Sequence, residues 1–180
     1  VLNDSDASVR SSAVYALGEI GSEDAASPLI SVLNDSDASV RSNVAYALGK
    51  IGSEDAVSPL ISVLDDSDAS VRSSAVYALG EIGSHDAVYP LVEALKDMDR
   101  DVLMSAEHAL MKIKSKKAIQ PLIALIRSCD NFDNCDFKSN DDMTIDEILS
   151  PFLSAMKKGE STRESAIRVL KGIYYFNCAT

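Results

Sequence analysis

Apolar residues along this chain keep the spacing of a helix face, stop, and start again, with a fixed period of 31 residues. After Asp6, the residues Val9, Ala13, Ala16, Leu17 and Ile20 fall on one stripe of an α-helix. Asp6 stands where a carboxylate would accept from the unpaired first N–H groups, and Gly21 where a left-handed residue would end the helix. A second, shorter stripe follows at Ala25, Leu29, Val32 and Leu33. Ser22 is its expected cap, and the charges of Glu23 and Asp24 suit the positive end of a helix dipole. Pro28, near the start of this segment, predicts an irregular first turn. Each period thus predicts two antiparallel helices joined by a very short turn.

Val1 to Ser31, Val32 to Ser62 and Val63 to Glu93 align without a gap. The second copy departs from the first at five positions: Ser12/Asn43, Ala13/Val44, Val14/Ala45, Glu19/Lys50 and Ala26/Val57. A fourth, divergent copy starts at Ala94. Two short helices bury too little in each other to offset the entropy of ordering them, so the units must stack. The pattern predicts an all-α, right-handed α-solenoid, an alpha–alpha superhelix of stacked antiparallel helix pairs. About four regular repeats fill residues 1–127. Residues 128–142, rich in Asn, Asp and Ser, read as a polar loop insertion. Residues 143–180 read as a degenerate C-terminal cap. Thr144 to Glu147 makes a capping-box start there, and Arg163, Ala166, Leu170 and Ile173 repeat the spacing of Arg10, Ala13, Leu17 and Ile20. Arg168 and Lys171 are expected on its outer side, with Tyr174, Tyr175 and Phe176 packed back on it. Val1 falls at the end of a helix in the phase of the repeat, so a piece of a longer array is expected.

Gly18, Gly49 and Gly80 recur inside a helix, where glycine costs about 1 kcal/mol against alanine, and they predict close approach by the next helix. Met111 takes that place in the fourth copy and Lys114 replaces the terminating glycine, which predicts a changed geometry there. Arg10, Arg41 and Arg72 recur with Asp35, Asp37, Asp66 and Asp68, and predict a ladder of ion pairs between turns and helices. Asp4, Asp6 and Ser8 have the spacing that opens a calcium loop, but Val9 and Tyr15 occupy the positions that need Gly and Glu. No metal is expected there.

Net charge is −11, all of it in residues 1–93, which hold 15 acidic and 4 basic side chains. Such a surface repels phosphate backbones and anionic membranes, so nucleic acid and membrane are set aside. It favours a protein partner carrying a basic patch. No apolar run is long enough to span a bilayer. Cys129, Cys135 and Cys178 are odd in number and lack C-x-x-C spacing, so free thiols in a reducing, cytoplasmic setting are expected. Nothing in the sequence sets the oligomeric state.

The first helix of each unit has an outward face at Ser8, Ser11, Ser12, Tyr15 and Glu19. Its translations are Ser39, Ser42, Asn43, Tyr46 and Lys50; Ser70, Ser73, Ser74, Tyr77 and Glu81; and Asp101, Met104, Ser105, His108 and Lys112. Tyrosines set among Ser and Asn have the composition of binding surfaces: stiff contact area beside adaptable hydrogen bonding. The expected partner-binding residues are therefore Ser12, Tyr15, Glu19, Asn43, Tyr46, Lys50, Ser74, Tyr77, Glu81, Ser105, His108 and Lys112.

The V-R, A-L-G-x-I-G and A-x-x-P-L-I elements of Val9 to Asp35 resemble the HEAT-like repeat of the phycobilisome-lyase type. They recur in the next two copies and partly in the fourth, as Ala109-Leu110 and Pro121-Leu122-Ile123, so the resemblance covers residues 1–127. It implies that the first helices line a concave binding side. It also implies a non-catalytic scaffold binding a protein partner, without a cofactor. A bilin lyase-like or chaperone-like accessory role on a tetrapyrrole protein stays open, because the repeat carries no diagnostic nucleophile. A deoxyhypusine hydroxylase-like iron site needs several His-Glu pairs, and only His85 and His108 exist, the one adjacent pair being the reversed Glu107-His108.

Overall fold

A computed structural model describes residues 1–128 and 161–178. The described residues form helices and turns and contain no strand. Four units follow in order: α1 (Ala7–Ile20) with α2 (Ala26–Ile30), α3 (Ala38–Ile51) with α4 (Val57–Ser62), α5 (Ala69–Ile82) with α6 (Val88–Ala94), and α7 (Arg100–Ile113) with α8 (Ile119–Ser128). A final helix, α9 (Ser161–Cys178), packs on α7 and α8. The chain is an α-solenoid.

Local chemistry sets the helix ends. Asp6, Asp37, Asp68 and Asp99 are extended N-cap residues whose carboxylates accept from backbone N–H groups two residues on. Gly21, Gly52 and Gly83 close the first helices at φ 67°, 76° and 77°. Lys114 does the same at φ 50°, its N–H bonded to Leu110 O at 3.0 Å. At this helix end the changed geometry expected does not occur; lysine adopts the left-handed conformation because the carbonyl still needs a donor. Each second helix is preceded by a 3-10 turn (Glu23–Ala25, Glu54–Ala56, His85–Ala87 and Lys116–Ala118), which is the irregular start that the proline predicted. Ser84 and Ser115 cap these turns, whereas Ser22 and Ser53 make no side-chain cap bond.

The first helices form one continuous layer, α1 on α3 on α5 on α7, and the second helices form the other. Leu29, Leu48, Leu60, Leu79, Leu91, Leu110 and Leu122 are fully buried between them. The helical glycines mark the contact between first helices. A Cβ on Gly18 would lie 2.8 Å from Ala47 Cβ, one on Gly49 2.6 Å from Ala78 Cα, and one on Gly80 2.7 Å from Ala109 Cβ. The fourth unit reverses the arrangement: Met111 projects from α7, and Gly172 on α9 leaves room for its Cε, which a Cβ would approach to 3.3 Å.

The expected apolar stripe is too narrow for the interior units. In α3 it is Val40, Val44, Ala47 and Leu48, but Ala45 and Gly49 are buried as well, because a middle helix touches three neighbours. In α1 the counterparts of Ala45 and Gly49, Val14 and Gly18, are buried, whereas Val9 and Ile20 of the expected stripe are 38% and 72% exposed. Ala166, Ile167, Val169, Leu170 and Ile173 of α9 are buried against the array. The polar insertion beyond Ser128 and the first part of the expected cap lie outside the described residues. So do the side chains of Arg163, Tyr174, Tyr175, Phe176 and the three cysteines.

Candidate binding face

The outward face of the first helices carries one phenol per unit. Tyr15 is 59% exposed, Tyr46 is 40% exposed and Tyr77 is half-buried. Tyr46 and Tyr77 stack, with ring centroids 5.4 Å apart and planes 16° from parallel. Burial, and then the nearby Glu81 carboxylate, push the Tyr77 phenol up. His108, exposed, stands in the fourth place.

Most of the polar groups between these rings are bonded from unit to unit. Lys50 Nζ meets Glu19 Oε1 at 2.5 Å, which raises the ammonium pKa, and Lys112 Nζ meets Glu81 Oε2 at 2.7 Å. Asn43 Nδ2 donates to Ser11 Oγ at 2.5 Å. The Ser42 and Ser74 hydroxyls bond at 2.9 Å, and those of Ser73 and Ser105 at 3.0 Å. Ser12 Oγ turns back to Ser8 O at 2.8 Å. Of the residues expected to meet a partner, then, Glu19, Asn43, Lys50, Ser74, Glu81, Ser105 and Lys112 already lace the array together. Tyr15, Tyr46, Tyr77 and His108 have no hydrogen-bond partner among the described residues. The lacing joins residues 31 or 32 apart, an offset that depends on how far one helix slides past the next.

Beneath one edge of this face runs the ladder. Arg10 forks onto Asp35, Nε to Oδ2 and Nη2 to Oδ1, both at 2.7 Å, while Nη1 reaches Asp4 O at 2.7 Å. Arg41 repeats this on Asp66 and Arg72 on Asp97, with the third nitrogen on the carbonyls of Asp35 and Asp66. Each rung is thus tied to the one before. The guanidinium hydrogen bonds hold Asp35, Asp66 and Asp97 below the usual carboxylate range. Asp37 and Asp68 make no fork: their carboxylates face the helix N-termini as caps, contrary to expectation. Asp97 is the rung that sequence reasoning missed, although its 25-residue spacing from Arg72 matches the others.

All four cations of residues 1–93, Arg10, Arg41, Lys50 and Arg72, are engaged in these pairs. Most of the 15 acidic groups there have no cation. Hollows interrupt the face, two of them wide. One, between α1 and α3, is lined by Ser8, Ser11, Tyr15, Asp37, Ser39 and Asn43. The other, a cleft of about 670 Å³ between α7 and α9, is lined by residues including Met98, Met104, Glu107, His108, Met111 and Arg168. Glu107 is 8% exposed and accepts from Arg168 Nη1 at 2.6 Å. Among the described residues, no three His, Cys, Asp or Glu side chains converge on a point where a metal would sit. None of the described helices is long and apolar enough to cross a membrane.

Solved structures similar to this chain include designed repeat arrays. A designed armadillo repeat protein matches with a TM-score of 0.58 at 22% identity, over 96% of each chain. A second one, in complex with the peptide (KR)4, matches with a TM-score of 0.58 at 23% identity, again over 96% of each. An engineered protein gives 0.56 at 20% identity, over 96% of this chain and 93% of its own. No curated protein matches by sequence. The profile for HEAT repeats matches residues 1–79 and 57–134, most of the chain, and with the stacked helix pairs in view the chain belongs to the HEAT repeat family.

Proposed function

We propose that this array is a non-catalytic scaffold that holds a protein segment across the outward face of its first helices, on the concave side. The observation that carries this reading is the rank of Tyr15, Tyr46 and Tyr77, exposed or half-exposed and without hydrogen-bond partners among the described residues, on a face most of whose other polar groups bond within the array. Phenols held on a braced face meet a partner at low entropic cost. Glycine-to-alanine contact brings the first helices very near one another, which supports that layer as the inner side of the curve.

The partner is basic. Every cation in the first three units is already paired, so the unpaired carboxylates around the face attract Lys and Arg. A designed neighbour of the same fold is seen with a (KR)4 peptide, and that peptide is a practical probe. Labelled (KR)4 should bind the full chain by fluorescence anisotropy and bind less tightly as salt rises. Changing Tyr15, Tyr46 and Tyr77 together to alanine should weaken it at least tenfold without unfolding the chain. Tyr89→Ala, at an exposed tyrosine on the second-helix layer, should leave it unchanged. An unaffected triple variant, or an equal loss with Tyr89→Ala, would overturn the reading.

A further inference from the structure

Four positions change chemistry together in the fourth unit. Ser67, Ser73, Tyr77 and Gly80 of the third unit, each the same residue in the first two, become Met98, Met104, His108 and Met111. All four new side chains line the cleft between α7 and α9. Packing accounts for Met111 only in part, since its Cε lies beside Gly172 but the side chain is 40% exposed; Met98 is fully exposed and Met104 55% exposed. Met104, His108 and Met111 lie at i, i+4 and i+7, on one face of α7. Along the helix axis they are spaced by about 6 and 4.5 Å at 1.5 Å per residue. A methionine side chain turns about three bonds, so its sulfur covers such a gap.

We infer that this cluster is a binding site for a soft monovalent cation of the copper(I) type. Thioether sulfur is a poor ligand for hard ions and selects copper(I), and a neutral imidazole nitrogen completes such a set. The change from Tyr to His matters most. An apolar docking cleft would lose contact area by it, whereas a metal site gains a lone pair. Glu107 and Glu164 line the cleft with Arg100 and Arg168, and Asp97 is already forked by Arg72, so the charges balance and a single positive charge is not repelled. The site is independent of the proposed partner face except that it uses His108.

Thiols bind copper(I) strongly, so the test uses the full chain with Cys129, Cys135 and Cys178 replaced by serine. Should that variant fail to fold, the alkylated wild-type chain takes its place. Copper(I) is supplied without oxygen against a coloured competing chelator, and silver(I) is titrated while the methionine methyl signals are followed by NMR. We expect one ion per chain, with the methyls of Met104 and Met111 shifting. Met104→Leu with Met111→Leu, and separately His108→Phe, should each cut affinity at least tenfold while the fold is kept. Occupancy well below one ion per chain, unmoved methyls of Met104 and Met111, or undiminished binding by the leucine variant would overturn the site and leave the cleft as an apolar surface.

Discussion

Asp66 shows how much a single side chain is asked to do in this array. Its carboxylate takes the fork of Arg41, caps the N–H of Asp68 at 2.9 Å, and its backbone carbonyl holds Arg72. Arg41 and Asp66 are 15% and 11% exposed, so the pair is shielded from most solvent screening. The folded carboxyl values of Asp35, Asp66 and Asp97 are lowered, so the stability they supply is complete above the unfolded value near pH ~4 and is lost as pH falls through the lowered folded values. The partner arginines are shifted upward and stay charged throughout that window. Asp66→Asn should cost about 2 kcal/mol by urea unfolding at pH 7. The gap from wild type should narrow on acidification below pH ~4, as the native carboxylate is protonated. A gap that stayed constant down to pH ~2 would show that the charge is not what Asp66 contributes. The arginines and aspartates were legible as a ladder from recurrence alone. Which aspartate takes the fork was not, since two lie in each turn and only the folded turn aims one at the guanidinium and the other at the helix end.

At the scale of the element, the first helices were easy to read because three signals coincide in each: a capping aspartate, an apolar stripe and a closing glycine. The second helices are shorter than their stripe suggested: α2 stops at Ile30, although Val32 and Leu33 are buried after it. Their burial comes from turns that fold back on the core, which periodicity cannot separate from helix. The helical glycines give the sharpest element-scale prediction. In an isolated helix, Gly49→Ala would add about 1 kcal/mol. Here the new Cβ would sit 2.6 Å from Ala78 Cα, a backbone atom that moves only if α5 moves. We expect a net loss of about 1–3 kcal/mol, as for other overpacked cores, read from the midpoint of urea unfolding. A gain in stability would mean that α3 and α5 are less closely packed than their glycine–alanine contact requires.

Over the whole molecule, the stacking was legible in the sequence because repetition leaves no other way to bury two apolar sides of one helix. The lacing of the outer face and the cleft were not, because both depend on the offset between helices. The same offset explains how α9 meets the fourth unit. Glu107 stands where Val76 faces the next unit, and Met111 where Gly80 does. On α9 they are answered by Arg168 and Gly172. The last seam is thus keyed to α9 and unsuited to a further identical unit, whose alanine would meet Met111. In a stack bound mainly by nearest-neighbour contacts, losing an end unit removes one interface and exposes the side beneath it. A chain ending at residue 160 should therefore leave Glu107 without its arginine and uncover apolar surface of α7 and α8 that Ile167, Leu170 and Ile173 now cover. We expect it to bind a hydrophobic dye, to self-associate and to melt several degrees lower, with the loss starting at the fourth unit and largest amide-exchange changes there. A monodisperse truncation with unchanged melting would show that the first four units are stable without α9 and that the seam serves something other than closure.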